Sequence, residues 1–404
     1  MSVSARIASV CAVLVAAAVG WHRLSGIDSA AAAPAQGCVA PAQWTLIERD
    51  RAQPTSPTAL LAQMARRDVV LLGESHDEED DHRWQLQVLA ALQAQRPRMV
   101  IGFEMFPRRV QPVLDRWVAG ELTPKELLDQ VDWDNTWRLP ASLYLPLFEF
   151  ARINRVPMVA LNVDQKVVKA ITAKGWDAVA ETEREGVGRP AAPAKAYRDF
   201  LFDAYREHAT IGAKGATPPT AASPAFGHFV EAQTTWDRAM AEALARRVAA
   251  TDADRPLVVG IMGSGHIRHG YGVPHQLRAL SVTSIGALLP VRSDIDCGEL
   301  RAGLADAVFA LPPAVAPKAP PPRLGVRLEE TDGVRIAEVT AGSLAEVTGL
   351  KAGDQLIQVA DGDVKGAADV IAAVRRQPPG TWLPIRVKRG DQTLDLVIRF
   401  PAKR

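Results

Sequence analysis

Four short runs of β-branched and aliphatic residues, each closing on polar groups, constrain this chain more than any other feature. Residues 69–72 lead into Gly73-Glu74-Ser75-His76, 99–103 into Glu104, 157–161 into Asn162, and 257–262 into Gly263-Ser264-Gly265-His266. Apolar runs this short, bounded by turn residues, predict buried strands. Residues 281–289 predict a fifth. The segments between them have helical spacing. Trp84, Val88 and Leu92 recur at i, i+4 and i+8 within 80–95, and Phe229, Trp236, Met240 and Leu244 mark one face of 228–249. Strand–helix alternation implies an α/β fold with a parallel sheet covered on both faces. Residues 106–155, and much of 163–250, exceed a single crossover helix and predict helical insertions. The Pro/Ala/Thr-rich stretch 212–224 predicts a mobile loop.

At 404 residues the chain is too long for one ordinary core. Hydrophobic residues make up 48% and charged residues 23%, a globular rather than disordered balance. Lys and Arg total 47 against 46 Asp and Glu, with no basic stripe, which argues against nucleic acid as a partner. Residues 311–322 read LPPAVAPKAPPP; proline at this density neither continues a helix nor pairs inside a sheet, so a spacer between domains is expected there. The layout is then a leader at 1–35, a large α/β domain at 36–310, the spacer, and a small domain at 323–404.

The leader reads as a signal peptide. Arg6 precedes an apolar run at 7–21, and Ala33-Pro34-Ala35 has the form of a cleavage site. The run is shorter than the roughly 20 residues that span a bilayer, which favours removal over anchoring. A periplasmic or outer-envelope location follows, with a retained anchor as the alternative. Export permits Cys38 and Cys297 to pair. The competing reading makes Cys38 the lipidated first residue of a lipoprotein. Its preceding Ala35-Gln36-Gly37 lacks the usual Leu and lies well past the apolar run, so the disulfide ranks first.

In an open parallel sheet the functional crevice lies at the carboxyl ends of the strands. Glu74, His76, Glu104, Asn162 and His266 should converge there. A glycine directly after a strand permits a tight turn, and two Gly-x-x-His tetrads would aim their imidazoles across the crevice. Two imidazoles with one or two carboxylates, from among Glu74, His76, Glu104 and His266, suit a divalent metal or general acid–base work. The plainer alternative is that they hydrogen-bond loop backbones. Glu231 and Asp237 could reach the crevice, but charges on an amphipathic helix are expected to face solvent; Trp133, Trp137 and Tyr144 could cover a flat ligand there, but are expected to pack in the core.

The blocks LLGESHDEEDDH, VIGFEMF, YLPLFEFAR, VALN, FVEAQTTWDRAMA and GSGHIRHGYGVP, in this order across 69–286, resemble the ChaN-like family of the Tiki and TraB superfamily. The resemblance implies an α/β fold with helical insertions and an association with haem binding and iron uptake at the envelope. It also implies, through Tiki-type relatives, a metal-dependent protease chemistry carried over to His76, Glu104 and His266 with Glu74 beside them. Haem needs an axial ligand. An axial donor is expected from His269, Tyr271 or His275, across a homodimer interface where two copies meet, with Arg268 pairing a propionate.

Residues 322–400 resemble a bacterial envelope-type PDZ domain, carried by Arg323-Leu324-Gly325-Val326, Ser343-Leu344-Ala345 and GLKAGDQLI at 349–357. The resemblance implies that a partner's C-terminal tail adds to the edge at 326–330. Backbone N–H groups of Leu324, Gly325 and Val326 would cradle its carboxylate, and a helix at about 367–376 would border the groove. Its start is small and apolar, which favours a hydrophobic terminal residue; the protein's own spacer is the rival occupant. Three functions compete: a haem-binding protein that docks a partner, a metal-dependent peptidase whose PDZ domain delivers substrate tails, and a scaffold with an inactive site. Neither H-E-x-x-H nor G-x-S-x-G occurs, so standard zincin and serine-hydrolase chemistries fit poorly.

Overall fold

The structure, a computed structural model, describes residues 38–48, 51–210, 220–249, 255–313 and 322–402. The leader at 1–35, most of the 212–224 stretch and most of the 311–322 spacer lie outside the described residues. Strands β1 (Trp44–Glu48), β2 (Arg51–Pro54), β3 (Val69–Glu74), β4 (Met99–Pro107), β5 (Met158–Asn162), β6 (Leu257–Gly263), β7 (Ile285–Arg292) and β8 (Ala307–Leu311) form one sheet in the order β2-β1-β8-β7-β3-β6-β4-β5. Strands β3 to β8 run parallel, and β1 is antiparallel to β2 and β8.

All five expected strands form. The last begins at Ile285, not 281, because Ser281 takes a left-handed φ of 65° in the turn before it. Strands β1, β2 and β8 were not expected. Strand β1 pairs with β8 across some 260 residues of chain, a contact that local pattern does not encode.

Helices α1 (Pro57–Ala65), α2 (Glu79–Gln95), α3 (Gln111–Ala119), α4 (Pro124–Gln130), α5 (Trp133–Thr136), α6 (Leu145–Ile153), α7 (Gln165–Lys174), α8 (Lys195–Thr210), α9 (Pro224–Val248) and α10 (Gly272–Ala279) complete the large domain. Side chains alternate across β3. Val70 and Leu72 join a core with α1 to α4 and α6, while Val69 and Leu71 join the opposite core with α9 and α10. All four are fully buried, each contributing about 1.5–3 kcal/mol. The expected helix at 228–249 starts earlier, where Ser223 caps the Phe226 N–H and Pro224 occupies the first turn. Its most buried stripe is Phe226, Val230, Asp237, Ala241 and Leu244; Phe229 and Trp236 lie to one side.

The sheet ends at β5 for a specific reason. The Gln111 side chain donates to the Met158 carbonyl (2.8 Å) and accepts from the Ala160 N–H (2.9 Å), occupying edge groups that would otherwise recruit another strand.

The C-terminal domain holds β9 (Val326–Glu330), β10 (Val334–Val339), β11 (Gln355–Val359), β12 (Gly362–Asp363), β13 (Trp382–Arg389) and β14 (Gln392–Arg399), with α11 (Leu344–Thr348) and α12 (Ala367–Arg375). Its antiparallel order is β14-β13-β11-β10-β9, with β12 on β11, so β9 is an edge. Buried Asp354 takes both arms of Arg389 at 2.7 Å, a paired internal charge.

Cys38 and Cys297 form a disulfide with Cα atoms 5.6 Å apart, joining the approach to β1 to the loop before β8. The Cys38 sulfur is therefore committed to that bond. The bridge closes a loop of 259 residues, so reduction should lower unfolding free energy by about 2–5 kcal/mol. Chemical denaturation of the full chain with and without reductant measures this. A Cys38→Ser variant should match the reduced protein.

Candidate functional site

The carboxyl ends of β3, β4 and β6 bring Glu74, His76, Glu104 and His266 together. Glu74 ends β3, in register with Gly263 at the end of β6. Glu104 lies inside β4, not at its end, just where the β4–β5 register breaks after Phe103. Its Oε2 accepts the Gly263 N–H at 2.7 Å, which ties β4 to the second tetrad.

Neither tetrad glycine serves the tight turn expected from sequence, since neither has a positive φ. Both are required by close approach. A Cβ on Gly73 would strike Leu289 and lie 2.7 Å from Ser264 Oγ, and one on Gly263 would lie 2.9 Å from His76 Cε1. The two tetrads pack directly on each other, and any side chain at either glycine would part them.

Glu74 is buried and fully partnered. Oε1 accepts from the Tyr144 hydroxyl (2.7 Å) and faces His76 Nδ1 (2.8 Å). Oε2 accepts from Gln85 Nε2 (3.0 Å) and faces His82 Nδ1 (3.3 Å). Burial alone would raise this carboxyl, but the hydrogen bonds of His76 and His82 outweigh it and hold it down at about 2. Burial opposes the charge on His76 and His82, yet Glu74, with Glu104 added for His76, moves both upward.

A second dyad mirrors the first. His266 Nδ1 lies 2.6 Å from Asp237 Oδ1, and its Nε2 lies 3.5 Å from Glu104 Oε1. Asp237 Oδ2 accepts from the Tyr197 hydroxyl at 2.8 Å. Burial disfavours the imidazolium, but Glu104 and Asp237 prevail and push His266 up to about 10. Glu104 is correspondingly lowered despite its burial. The arrangement interleaves the carboxyl groups of Glu74, Glu104 and Asp237 with the imidazoles of His76, His82 and His266, suited to holding and passing protons. His76, with its side chain 38% exposed, is the member a ligand reaches most readily. A metal at His76, Glu104 and His266 would require His266 to release a proton that two carboxylates hold. Among the described residues no group of three or more His, Cys, Asp or Glu is arranged to hold a metal ion.

Asp237 corrects the expectation of a solvated residue: it is fully buried on the α9 stripe. Glu231 caps the Trp176 N–H at 2.8 Å. Trp133 and Tyr144 pack in the core as expected, although Tyr144 also reaches Glu74. Trp137 instead stands edge-on to His76, centroids 4.8 Å apart, and Trp236 edge-on to His266 at 6.1 Å. Between these tryptophans lies a cavity of about 130 Å³, lined also by Met105, Arg109 and Asn162. Asn162 does not enter the histidine cluster; it donates to the Glu104 carbonyl. His82, Gln85 and Tyr197 were not anticipated, and Tyr144 and Asp237 were assigned to the core and to solvent. Only Asp237 left a signal, a charge at buried spacing from Val230 and Leu244.

The segment after His266 divides. Arg268 faces Glu299 at 3.5 Å and lines a cavity of about 250 Å³ with Ser75, Ser264 and Arg292. His269, at φ 59°, stands 5.3 Å from the Tyr271 ring. Tyr271 packs toward Tyr197 and Phe200, and His275 Nε2 contacts the Ala192 carbonyl at 2.9 Å. In the small domain Leu324 is buried and Gly325 has φ 81°, with Ser343 filling the space a Cβ would need. Among the described residues, the N–H groups of Leu324 and Gly325 make no hydrogen bond.

His266 is raised from 6.5 to about 10, so its contribution to stability is complete below about 6.5 and lost as pH rises toward 10. Thermal unfolding of the wild type should therefore weaken between pH 7 and 10 more steeply than that of His266→Gln. Glu74 works in the opposite direction, contributing above its unfolded value of 4.5 and failing as pH falls toward about 2. Glu74→Ala should destabilise the fold by about 3–5 kcal/mol at neutral pH, because it strands the buried His82.

The sequence pattern of the family described as haem-binding uptake, Tiki superfamily, ChaN matches residues 60–277, and that of the PDZ domain matches 322–399. Protein RETICULATA-RELATED 5, chloroplastic, of Arabidopsis thaliana is 23% identical over 212 residues, half of this chain; the chain spans only 28% of that protein. A structure of cofacial heme binding to ChaN of Campylobacter jejuni is 18% identical, with a TM-score of 0.49, covering 66% of this chain and 96% of its own. The HtrA-type protease AlgW with decapeptide is 23% identical over 20% of this chain and 29% of its own, TM-score 0.19. With more than half its length matched by one family pattern, the chain belongs to the ChaN haem-binding uptake family of the Tiki superfamily and carries a C-terminal PDZ domain.

Proposed function

We propose that this is an exported envelope protein whose α/β domain binds haem in an iron-uptake role and whose PDZ domain docks the C-terminal tail of a partner. One observation carries the haem assignment to particular residues. Burial and the neighbouring Arg268 both lower His269, so at neutral pH its imidazole keeps a free lone pair. That is the state an axial donor needs. The other two donors fit less well: Tyr271 packs toward an aromatic cluster, and His275 is engaged with a backbone carbonyl. Arg268, beside the Ser75 and Ser264 hydroxyls, suits a propionate. Haem, when bound, supplies the iron; the chain supplies the donor and the cation, with a second copy completing the site in a homodimer.

The Cys38–Cys297 disulfide supports an oxidising compartment, and so export by the leader rather than lipidation at Cys38. For the PDZ domain, the N–H groups of Leu324 and Gly325, without a partner among the described residues, lie beside edge strand β9 and support carboxylate capture. Helix α12 borders that groove, its start tied to β9 by the Ala367 N–H on Glu330 (2.6 Å).

A second reading, a metal-dependent peptidase, rests on the two His–carboxylate dyads flanking Glu104, although its metal would have to displace the proton that Glu104 and Asp237 hold on His266. Stoichiometric divalent metal and peptide cleavage, both lost in His76→Ala and His266→Ala, would establish it over haem uptake.

Haemin titration of the exported chain should give a saturable Soret band. His269→Ala should move or abolish it, and Arg268→Ala should weaken binding about tenfold, the worth of one charge-assisted hydrogen bond. Tyr271→Phe and His275→Ala should leave the band in place. An unchanged spectrum in His269→Ala overturns that ligand assignment. Peptides with a free hydrophobic C-terminus should bind the full chain, and their amides should not; equal binding of both refutes carboxylate capture.

A further inference from the structure

We propose that the PDZ domain clamps one wall of the crevice, so that its peptide groove and the surroundings of His76 form a coupled pair. Residues Gly37–Arg404 form one unit, and α12 meets the large domain at α5. Arg375 Nη1 donates to the Arg138 carbonyl at 3.1 Å, and Arg376 Nη1 pairs with Asp134 Oδ2 at 3.2 Å. Asp361 adds to the attraction that Asp129 exerts on the Lys125 ammonium in α4. Both arginines end or follow the last turn of α12, the helix that borders the groove opposite β9.

The clamped segment is short and bounded by unusual backbone. Asp132 and Arg138 flank α5 with φ of 54° and 66°, left-handed values that non-glycine residues hold only when surroundings impose them. On its inner side, Trp133 Nε1 donates to the Leu139 carbonyl and Trp137 stands against His76. Asn135, Thr136 and Trp137 all line the cavity beside the histidine cluster. A displacement of α12 therefore reaches Trp137 from the next residue on one side and from three residues away on the other.

The strength of the connection follows from exposure. The Asp134 and Arg376 side chains are 37% and 60% exposed, so their ion pair shifts an equilibrium by only about two- to fivefold. That is enough to bias a site and too little to lock it, the range of modest allosteric coupling. The clamp rests on these contacts alone; its use as a signal rests on the peptide-groove reading above.

The test uses the full exported chain and the Trp137 indole N–H resonance, assigned with Trp137→Phe. Arg376→Asp should shift that resonance and weaken haemin binding about two- to fivefold. Asp134→Arg combined with Arg376→Asp should restore both. A hexapeptide ending in a valine with a free carboxylate should move the same resonance in the wild type and fail to do so in Arg375→Ala/Arg376→Ala. A Trp137 resonance unmoved by Arg376→Asp, or by a peptide shown to saturate the groove, overturns the proposal. If the hexapeptide does not bind, the carboxylate-capture reading fails and the charge-swap pair decides the clamp. If haemin does not bind, the Trp137 resonance still decides it.

Discussion

A single buried carboxylate, Glu74, organises the large domain. An ionised carboxylate out of water is tolerable only when its lone pairs are filled. Here the donors come from Tyr144 ahead of α6, from Gln85 and His82 on α2, and from His76 in the following loop. None of these elements can leave without stranding a charge. The helical insertion at 106–155 is thus fastened to the sheet by a hydrogen bond as well as by its apolar face. The Ser75 N–H, held by Asp81 at the start of α2, fixes the same turn from the other side.

The His266 dyad repeats this logic on the opposite core. Asp237 and Tyr197 bring α9 and α8 to β6, as His82 and Tyr144 bring α2 and α6 to β3. Glu104 then stands between two imidazoles, anchored by the Gly263 N–H. Each buried carboxyl group faces at least one imidazole, which explains how so many ionisable groups persist in a poorly solvated place.

Much of this was legible in the chain. The five strands of the parallel sheet were visible because strands buried on both faces read as unbroken apolar runs. Their polar ends were visible because an open sheet gathers function at one edge. The PDZ edge and its bordering helix were legible from short motifs, and the Cys38–Cys297 bridge from cysteine count and the expectation of export. The partners were not. Asp237 was hidden because a charge on an amphipathic helix ordinarily faces water, and only the docking of α9 against β6 turns that stripe inward. His82 and Tyr144 sit 8 and 70 residues from the carboxylate they serve, at no spacing that implies a meeting.

What the sequence by itself determined is the α/β class, the two-domain order and the residues that gather at the strand ends, since these follow from local apolar periodicity and turn chemistry. What tertiary structure decided is everything that depends on long-range proximity. It made β1 and β8 neighbours, and it assigned the tetrad glycines to close packing instead of left-handed turns. It also moved the proton affinities of His76, His82 and His266 upward. A side chain's charge state is fixed by burial and by the charges that surround it, and both are properties of the folded chain rather than of any window within it.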